Sequence, residues 1–534
     1  MMKSATKDKV YKSPVRKLAR FFEKSRDQWK VKCREAKTTI KYLKNRVRFL
    51  EDSRERWKNR ARELEARVKQ MEAKERESKE KHESLEPSES KKNFQVIEDF
   101  ALIPHYHQYS VGHVKLFIDL VLSDAASLRG ASRAAKRMIS SLQLPLDFPT
   151  WYTGRLWLLR LGYYKLTCPK EQADDWVWIA DHTVQIGAEK CFVILGIRLS
   201  NLPPVGQCVS HREVELIALL PVEKSNKEAV CRQLEANVEK TGGPRLIVGD
   251  HGSDLKAGVE KFCQKHPETC FIYDIKHKTA AVLKRELARD ETWLEFTRLA
   301  AQTKQRVQQT SLAHLSPPNQ RTKARYMNID VLVHWGQDLL AFLDRQQTEE
   351  STQFTLEQVQ EKLGWIIRFR QPLEEWGELL QLTITTESFV RQRGLYHSAH
   401  LELAAQLQYV AHTDRTQRVR TELVSFVEQE SAKARPGERL LGSSEVIESI
   451  LGKLKRLEQD QAKSGFTGLL LSIGAMVAAT TSDVILKALE TVPTKKVLAW
   501  CKETLGRSVQ AKRQEAFASP NKSEQKWDQS WAAV

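Results

Sequence analysis

Trp176-Val177-Trp178-Ile179-Ala180-Asp181 and Arg245-Leu246-Ile247-Val248-Gly249-Asp250 are two short apolar runs, each ending in an aspartate. Short apolar runs bounded by polar sequence read as strands buried on both faces. A further strand is expected at Cys191 to Ile197, another within Glu213 to Leu220, and a fifth at Thr269 to Asp274. Between them, Ser225 to Lys240 and Asp254 to His266 carry a helical period. Three strands, a helix, a strand, a helix and a strand predict an α/β sheet. Two carboxylates then stand at the ends of its first and fourth strands.

That element order is the one found in RNase H-like folds. Beyond it, residues 285–440 are helical by period, punctuated by Trp293, Trp335, Trp365 and Trp376. Arg435-Pro436-Gly437 breaks the pattern, and Ser443 or Ser444 is positioned to cap a new helix. The uncharged run Ser464 to Ser482 is rich in Gly, Ser, Thr and Ala, which predicts a buried helix rather than a membrane span.

Upstream of the sheet, the chain is basic. Of the net +18, residues 1–80 hold +14, from 27 Lys and Arg against 13 Asp and Glu. Such an arm suits a polyanion, because neutralising phosphates releases counterions; a solvated helix surface is the plainer alternative. The same segment is a heptad repeat. Phe22, Trp29, Ala36, Leu43, Leu50, Trp57, Leu64 and Met71 fall seven apart. Ser25-Arg26-Asp27-Gln28-Trp29-Lys30 recurs as Ser53-Arg54-Glu55-Arg56-Trp57-Lys58, a whole number of heptads later. A coiled coil and self-association are expected, with a helix folded on its own chain as the alternative.

Val114 to Leu122, Ser127 to Ala135 and a helix opening at Pro149-Thr150-Trp151 predict a small helical, helix-turn-helix-like domain, with Arg129 and Arg133 as candidate DNA contacts. Eight scattered Cys without a CxxC argue against a disulfide framework or a cysteine zinc site. Met1 to Lys17 is basic and lacks an apolar stretch, so no secretory leader is expected.

Paired carboxylates at strand ends suit phosphodiester chemistry. Two divalent cations held by a few carboxylates both activate a nucleophile and neutralise the transition state. The bland alternative is that Asp181 and Asp250 cap turns. Three blocks add to this reading. Val248-Gly249-Asp250-His251-Gly252, with Leu255, Phe262 and His266-Pro267, resembles the second-Asp block of DDE transposases. Asp274-Ile275-Lys276-His277 matches the C/D-x-x-H signature of families with a helical insertion, such as bacterial insertion-sequence, Mutator and hAT elements. Ser443-Ser444-Glu445-Val446-Ile447-Glu448-Ser449-Ile450 resembles their third-carboxylate block.

The resemblance implies a catalytic and metal-binding triad of Asp181, Asp250 and Glu448, holding two Mg²⁺ or Mn²⁺. Glu445, one turn before Glu448, is the competing third carboxylate. Asp274 and His277 are accessory residues near the site, or local backbone caps. His182 and His251 follow the two Asp and are expected to point away, because side chains alternate along a strand. The insertion tryptophans are expected to be mostly core. Families of this kind stack a base on an insertion aromatic, which makes Trp335 a candidate beside its core reading. Lys455 and Arg456 are candidate phosphate contacts or a solvated face.

The expected organisation is 1–75 basic coiled coil, 76–109 linker, 110–168 helical domain, 172–284 first part of the RNase H-like core, 285–440 all-α insertion, 441–505 final core helices and 506–534 polar tail. The expected function is that of a DNA transposase cutting and joining element ends. Its partners would be double-stranded DNA and further copies of itself, with no membrane. Its place would be the cytoplasm, at the nucleoid if bacterial. A catalytically inactive, transposase-derived DNA-binding or scaffolding protein is the alternative, and a host RNase H-like nuclease a third.

Overall fold

The structure is a computed structural model that describes Arg26 and residues 98–141, 143, 147–184, 190–222, 224–320, 326, 329–346, 356–459, 466–506 and 509–517. The expected heptads, Arg26 apart, and the segment up to residue 97 lie outside the described residues. Phe94–Val534 forms one compact unit.

Its centre is a five-stranded mixed sheet in the order β3-β2-β1-β4-β5. The strands are β1 (Trp176–Val184), β2 (Lys190–Arg198), β3 (Glu215–Val222), β4 (Leu246–Gly249) and β5 (Cys270–Tyr273). β1, β2 and β3 pair antiparallel, and β4 and β5 run parallel to β1. Helices connect the parallel strands, as parallel pairing requires a crossover.

Strand side chains alternate between faces, and the core follows that alternation. Trp176, Trp178 and Ala180 of β1 pack with Val230, Cys231, Leu234, Leu255, Val259 and Phe262. These come from the crossover helices α4 (Lys227–Thr241) and α5 (Ser253–Lys265). Val177 and Ile179 face the opposite, larger core, shared with most of the remaining helices. Both faces are therefore covered, and Trp176 to Ala180 are at most 1% exposed.

On the larger face lie α1 (Val111–Leu122), α2 (Leu128–Ser141) and α3 (Trp151–Thr167). Their apolar residues share one core with α13 (Glu445–Gln459), α14 (Ser472–Met476), α15 (Ser482–Thr491) and α16 (Thr494–Leu505). Buried Arg160 on α3 donates to the carbonyls of Val492 and Leu489, and buried Lys165 donates to Val477 O at 2.6 Å. A buried cation needs such acceptors, so α3 is fastened to the C-terminal helices. The expected helix at 464–482 is instead a 3₁₀ turn over Leu469 and Leu470 followed by short α14. No helix among the described residues is long and apolar enough to cross a membrane.

Gly162 lets this crossing form. A methyl there would stand 1.8 Å from the Leu471 carbonyl oxygen. Gly162→Ala must push two backbones apart, and is expected to destabilise the chain by about 3 kcal/mol, the upper end for core overpacking. A thermal melt checks this; a wild-type midpoint would mean that the helices can part freely.

From β5 to α13 the described chain is helical except for one isolated bridge, Leu395 to Leu440. This segment comprises α6 (Ile275–Leu287), α7 (Glu291–Val307), α8 (Asp330–Gln346), α9 (Leu356–Leu363), α10 (Arg370–Arg393), α11 (Ala399–Gln406) and α12 (Asp414–Ser431). Trp293, Phe296, Phe369 and Trp376 make its aromatic centre, with the Trp293 and Trp376 rings crossed at 4.9 Å. Buried Arg245, just before β4, holds the segment's end by two bonds to Glu438, at 2.9 and 2.7 Å. The last described helix is α17 (Val509–Ala516).

Candidate active site

The register of the sheet brings two aspartates together. Ala180 of β1 pairs with Gly249 of β4, and Gly249 pairs with Tyr273 of β5. Asp181, Asp250 and Asp274 are the next residues on three neighbouring strands. By alternation they share the face that carries Val177, Ile179, Val248 and Ile272, the face against which α13 packs. His182 points to the other side, where its Nε2 is 3.2 Å from Ser225 Oγ. The His251 ring lies stacked on Tyr273, with centroids 3.7 Å apart.

α13 delivers the third carboxylate to this face. Glu448 Oε1 is 3.1 Å from His277 Nε2, and Lys276 Nζ donates to Glu448 Oε2 at 3.2 Å. Glu445, one turn earlier, turns to the insertion and pairs with Arg391 of α10 at 2.5 Å. Of the two candidates, the packing turns Glu448 toward the strand ends.

The electrostatics follow from this crowding. Burial, and then the neighbouring charge of Asp250, push the Asp181 carboxyl up to about 7; Glu448 adds to the effect, while the His182 N–H and His277 oppose it. For Glu448, burial works upward, but His277 and Lys276 outweigh it and hold the carboxyl below its ordinary value. For His277, burial works downward, and Glu448, Asp274 and Asp250 reverse it, leaving the imidazole above its ordinary value. Each of Glu448 and His277 thus favours the charged form of the other, whereas Asp181 lacks a bonded cation among the described residues.

Asp274, His277 and Glu448 present ligand atoms all within 4.8 Å of one another, a grouping that can hold a metal ion. Asp274 is fully buried, and both its oxygens are already bonded. Its Oδ1 accepts from His277 N at 2.9 Å. Its Oδ2 accepts from Ser444 N at 2.5 Å and from Ser444 Oγ at 2.8 Å. One carboxylate therefore caps α6 and secures the entry to α13. Ser444 donates its hydroxyl to Asp274, so the capping oxygen at the α13 start is Ser443 Oγ, which accepts from Glu445 N at 3.3 Å. Asp274 acts as a pin between two elements; Asp181 Oδ1 accepts from His182 N at 2.6 Å and Asp250 Oδ1 from Gly252 N at 3.1 Å.

The outlying candidates fare differently. Arg129 and Arg133 are exposed on α2, with Arg129 over the Trp151 ring at 5.0 Å. Lys455 and Arg456 are exposed on α13. Trp335, a candidate for base stacking beside its core reading, packs against the core with part of its ring exposed. It is half-buried, its indole N–H donates to Leu315 O at 3.1 Å, and its ring packs near Phe296 and Trp365. Sequence reasoning missed Lys276 and Arg391 as partners of the two glutamates. Lys276 lay inside the quoted motif, beside His277; for Arg391 no sequence signal exists.

No protein-family model matches this chain, and no curated protein does. Among solved structures, the chain is similar to the Drosophila P element transposase strand transfer complex, at 10% sequence identity and a TM-score of 0.33, over 73% of this chain and 96% of that one.

Proposed function

We propose that this chain is a metal-dependent polynucleotidyl transferase of the DDE type, which cuts DNA and joins the ends. What supports this reading is that strand alternation puts Asp181 and Asp250 on one face, that the charges of Asp250 and Glu448 act on Asp181, and that no cation is bonded to Asp181 among the described residues. The strand order β3-β2-β1-β4-β5, with its antiparallel half and parallel half, supports an RNase H-like core. The motif blocks at Asp250, Asp274 and Glu448 support the transposase class.

The donor set fits hard divalent cations. Carboxylate oxygens suit Mg²⁺ or Mn²⁺, and a buried carboxyl raised by its acidic neighbours is relieved by a bound cation. Two bound ions would activate the attacking water or 3′-hydroxyl and neutralise charge on the scissile phosphate. Asp181, within β1, and Asp250, just after β4, would hold their oxygens on the rigid sheet. His277 and Lys276 orient Glu448, and Asp274 fixes the helix that bears it. The insertion helices, joined to the core through Arg245–Glu438 and Arg391–Glu445, are proposed to cover the DNA end. Arg129 and Arg133 are proposed to meet duplex phosphates, and residues 1–75 to join copies of the chain.

The test is a cleavage and joining assay on the DNA that borders the coding region, with Mg²⁺, Mn²⁺ or EDTA. Metal-dependent nicking and joined products are expected. Binding without cutting in either metal would leave the non-catalytic reading, and cutting without joining would favour a nuclease.

A further inference from the structure

We propose that Ser449, His211 and Lys453 form a seat for a backbone phosphate of the DNA, beside the one cut at Glu448. This rests on the function proposed above. Ser449 follows Glu448, and Lys453 lies one turn further along α13. His211 reaches them from the loop between β2 and β3. Its Nε2 is 3.1 Å from Ser449 Oγ, and its Nδ1 is 3.1 Å from Lys453 Nζ.

The donors decide what such a cluster can bind. An ammonium only donates, so Nδ1 must accept from Lys453, and Nε2 then carries the hydrogen and donates to Ser449 Oγ. The Ser449 hydroxyl hydrogen and the remaining Lys453 N–H groups are left facing outward. Ser449 is exposed. Lys453 forms no ion pair with a carboxylate among the described residues, and Arg456 is near enough for its charge to act on it. The nearest acidic neighbour of His211, Glu213, already accepts from Ser210 N at 2.6 Å. Between Ser449 and Lys453 stands Gly452, where a side chain would meet nothing within 4 Å, so the helix surface is open to an approaching strand. The loop is held in place: the His211 carbonyl accepts from Ala478 N at 2.9 Å. A fixed hydroxyl and an ammonium without a carboxylate partner among the described residues, on an open surface, suit a phosphate oxygen.

The test uses the full chain and a fluorescein-labelled duplex of the DNA bordering the coding region. Anisotropy is read in EDTA over a series of KCl concentrations, so catalysis plays no part. Wild type should show log affinity falling linearly with log salt. Lys453→Gln should bind several-fold more weakly, with the slope reduced by about one, as expected when one phosphate contact is lost. Lys453→Arg should restore both. Ser449→Ala, at an exposed position, should weaken binding several-fold and leave the slope unchanged. It decides the matter if Lys453→Gln lowers the melting midpoint. Variants that bind as wild type does, with the same slope, overturn the seat while the proposed function stands. A wild-type chain that binds the duplex at no salt concentration overturns both.

Discussion

Asp181→Asn is expected to lower metal-dependent DNA cleavage by roughly a thousandfold or more, because two-metal centres contribute several kcal/mol to the transition state and about 1.4 kcal/mol is a factor of ten. DNA binding should persist. The same substitution should stabilise the metal-free protein near about pH 8. The Asp181 carboxyl titrates at about 7 in the fold, chiefly through burial and then Asp250, against about 3.9 in an unfolded chain. A carboxyl raised by folding disfavours its ionised form, so stability falls as pH rises between those two values and stays low above the upper one. Three units correspond to at most about 4 kcal/mol. Asparagine is neutral throughout and escapes this loss. In EDTA the variant should therefore melt above wild type near about pH 8, and the two should converge below about pH 4. Mg²⁺ should raise the wild-type midpoint at the higher pH and leave the variant's unchanged. A variant that cuts normally removes Asp181 from the site. A variant that melts at or below wild type at high pH removes the electrostatic account.

Asp274→Ala should be the most damaging single change outside the triad. It leaves three donors without their acceptor: His277 N, Ser444 N and Ser444 Oγ. Each buried unsatisfied group costs about 1–3 kcal/mol, so a loss of at least ~3 kcal/mol is expected in denaturant unfolding. Cleavage should fall as well, because the start of α13 loses its fastening and Glu448 with it. Asp274→Asn keeps one acceptor oxygen and should fall between. The half-saturating Mg²⁺ concentration for thermal stabilisation should rise in Asp274→Asn, which a purely stabilising residue would leave unmoved. If that concentration is unchanged while stability drops, Asp274 serves the fold alone. If stability is also unchanged, the buried bonds carry no weight.

Much of the sheet was legible because a strand buried on both faces has few ways to appear in sequence. Trp176 to Ala180 and Leu246 to Val248 are apolar at every position, and they lie in β1 and β4. Alternation also gave the direction of His182, which the structure turns to the face opposite Asp181. The helical stretch was legible by period, and the burial of Trp293 and Trp376 followed from their places on apolar faces. Trp335 was not separable from them in sequence. Its period matches a core position, and its basic neighbours suggested DNA; the structure gives it a bond to Leu315 O and two aromatic neighbours.

The grouping of helices was also beyond sequence reach. α1 to α3 have their own amphipathic pattern, which reads as an independent bundle. The close approach of Gly162 to Leu471, the bonds of Arg160 and Lys165, and a shared apolar core tie them to a segment some three hundred residues later. Glycine in a helix reads as a mild weakness; that it admits another backbone depends on what lies opposite.

The sequence by itself determined the strands, their order along the chain, the aspartate that follows β4, and the helical character of the insertion, because each is recorded in local periodicity; β1 runs past Asp181 to Val184, because its last residues pair with β2. The tertiary structure decided which glutamate faces the aspartates, that Asp274 joins α6 to α13, and that His211 meets Ser449 and Lys453. Those pairings span more than 160 residues. They depend on the angle at which α13 lies across the sheet, which packing sets and no local pattern encodes.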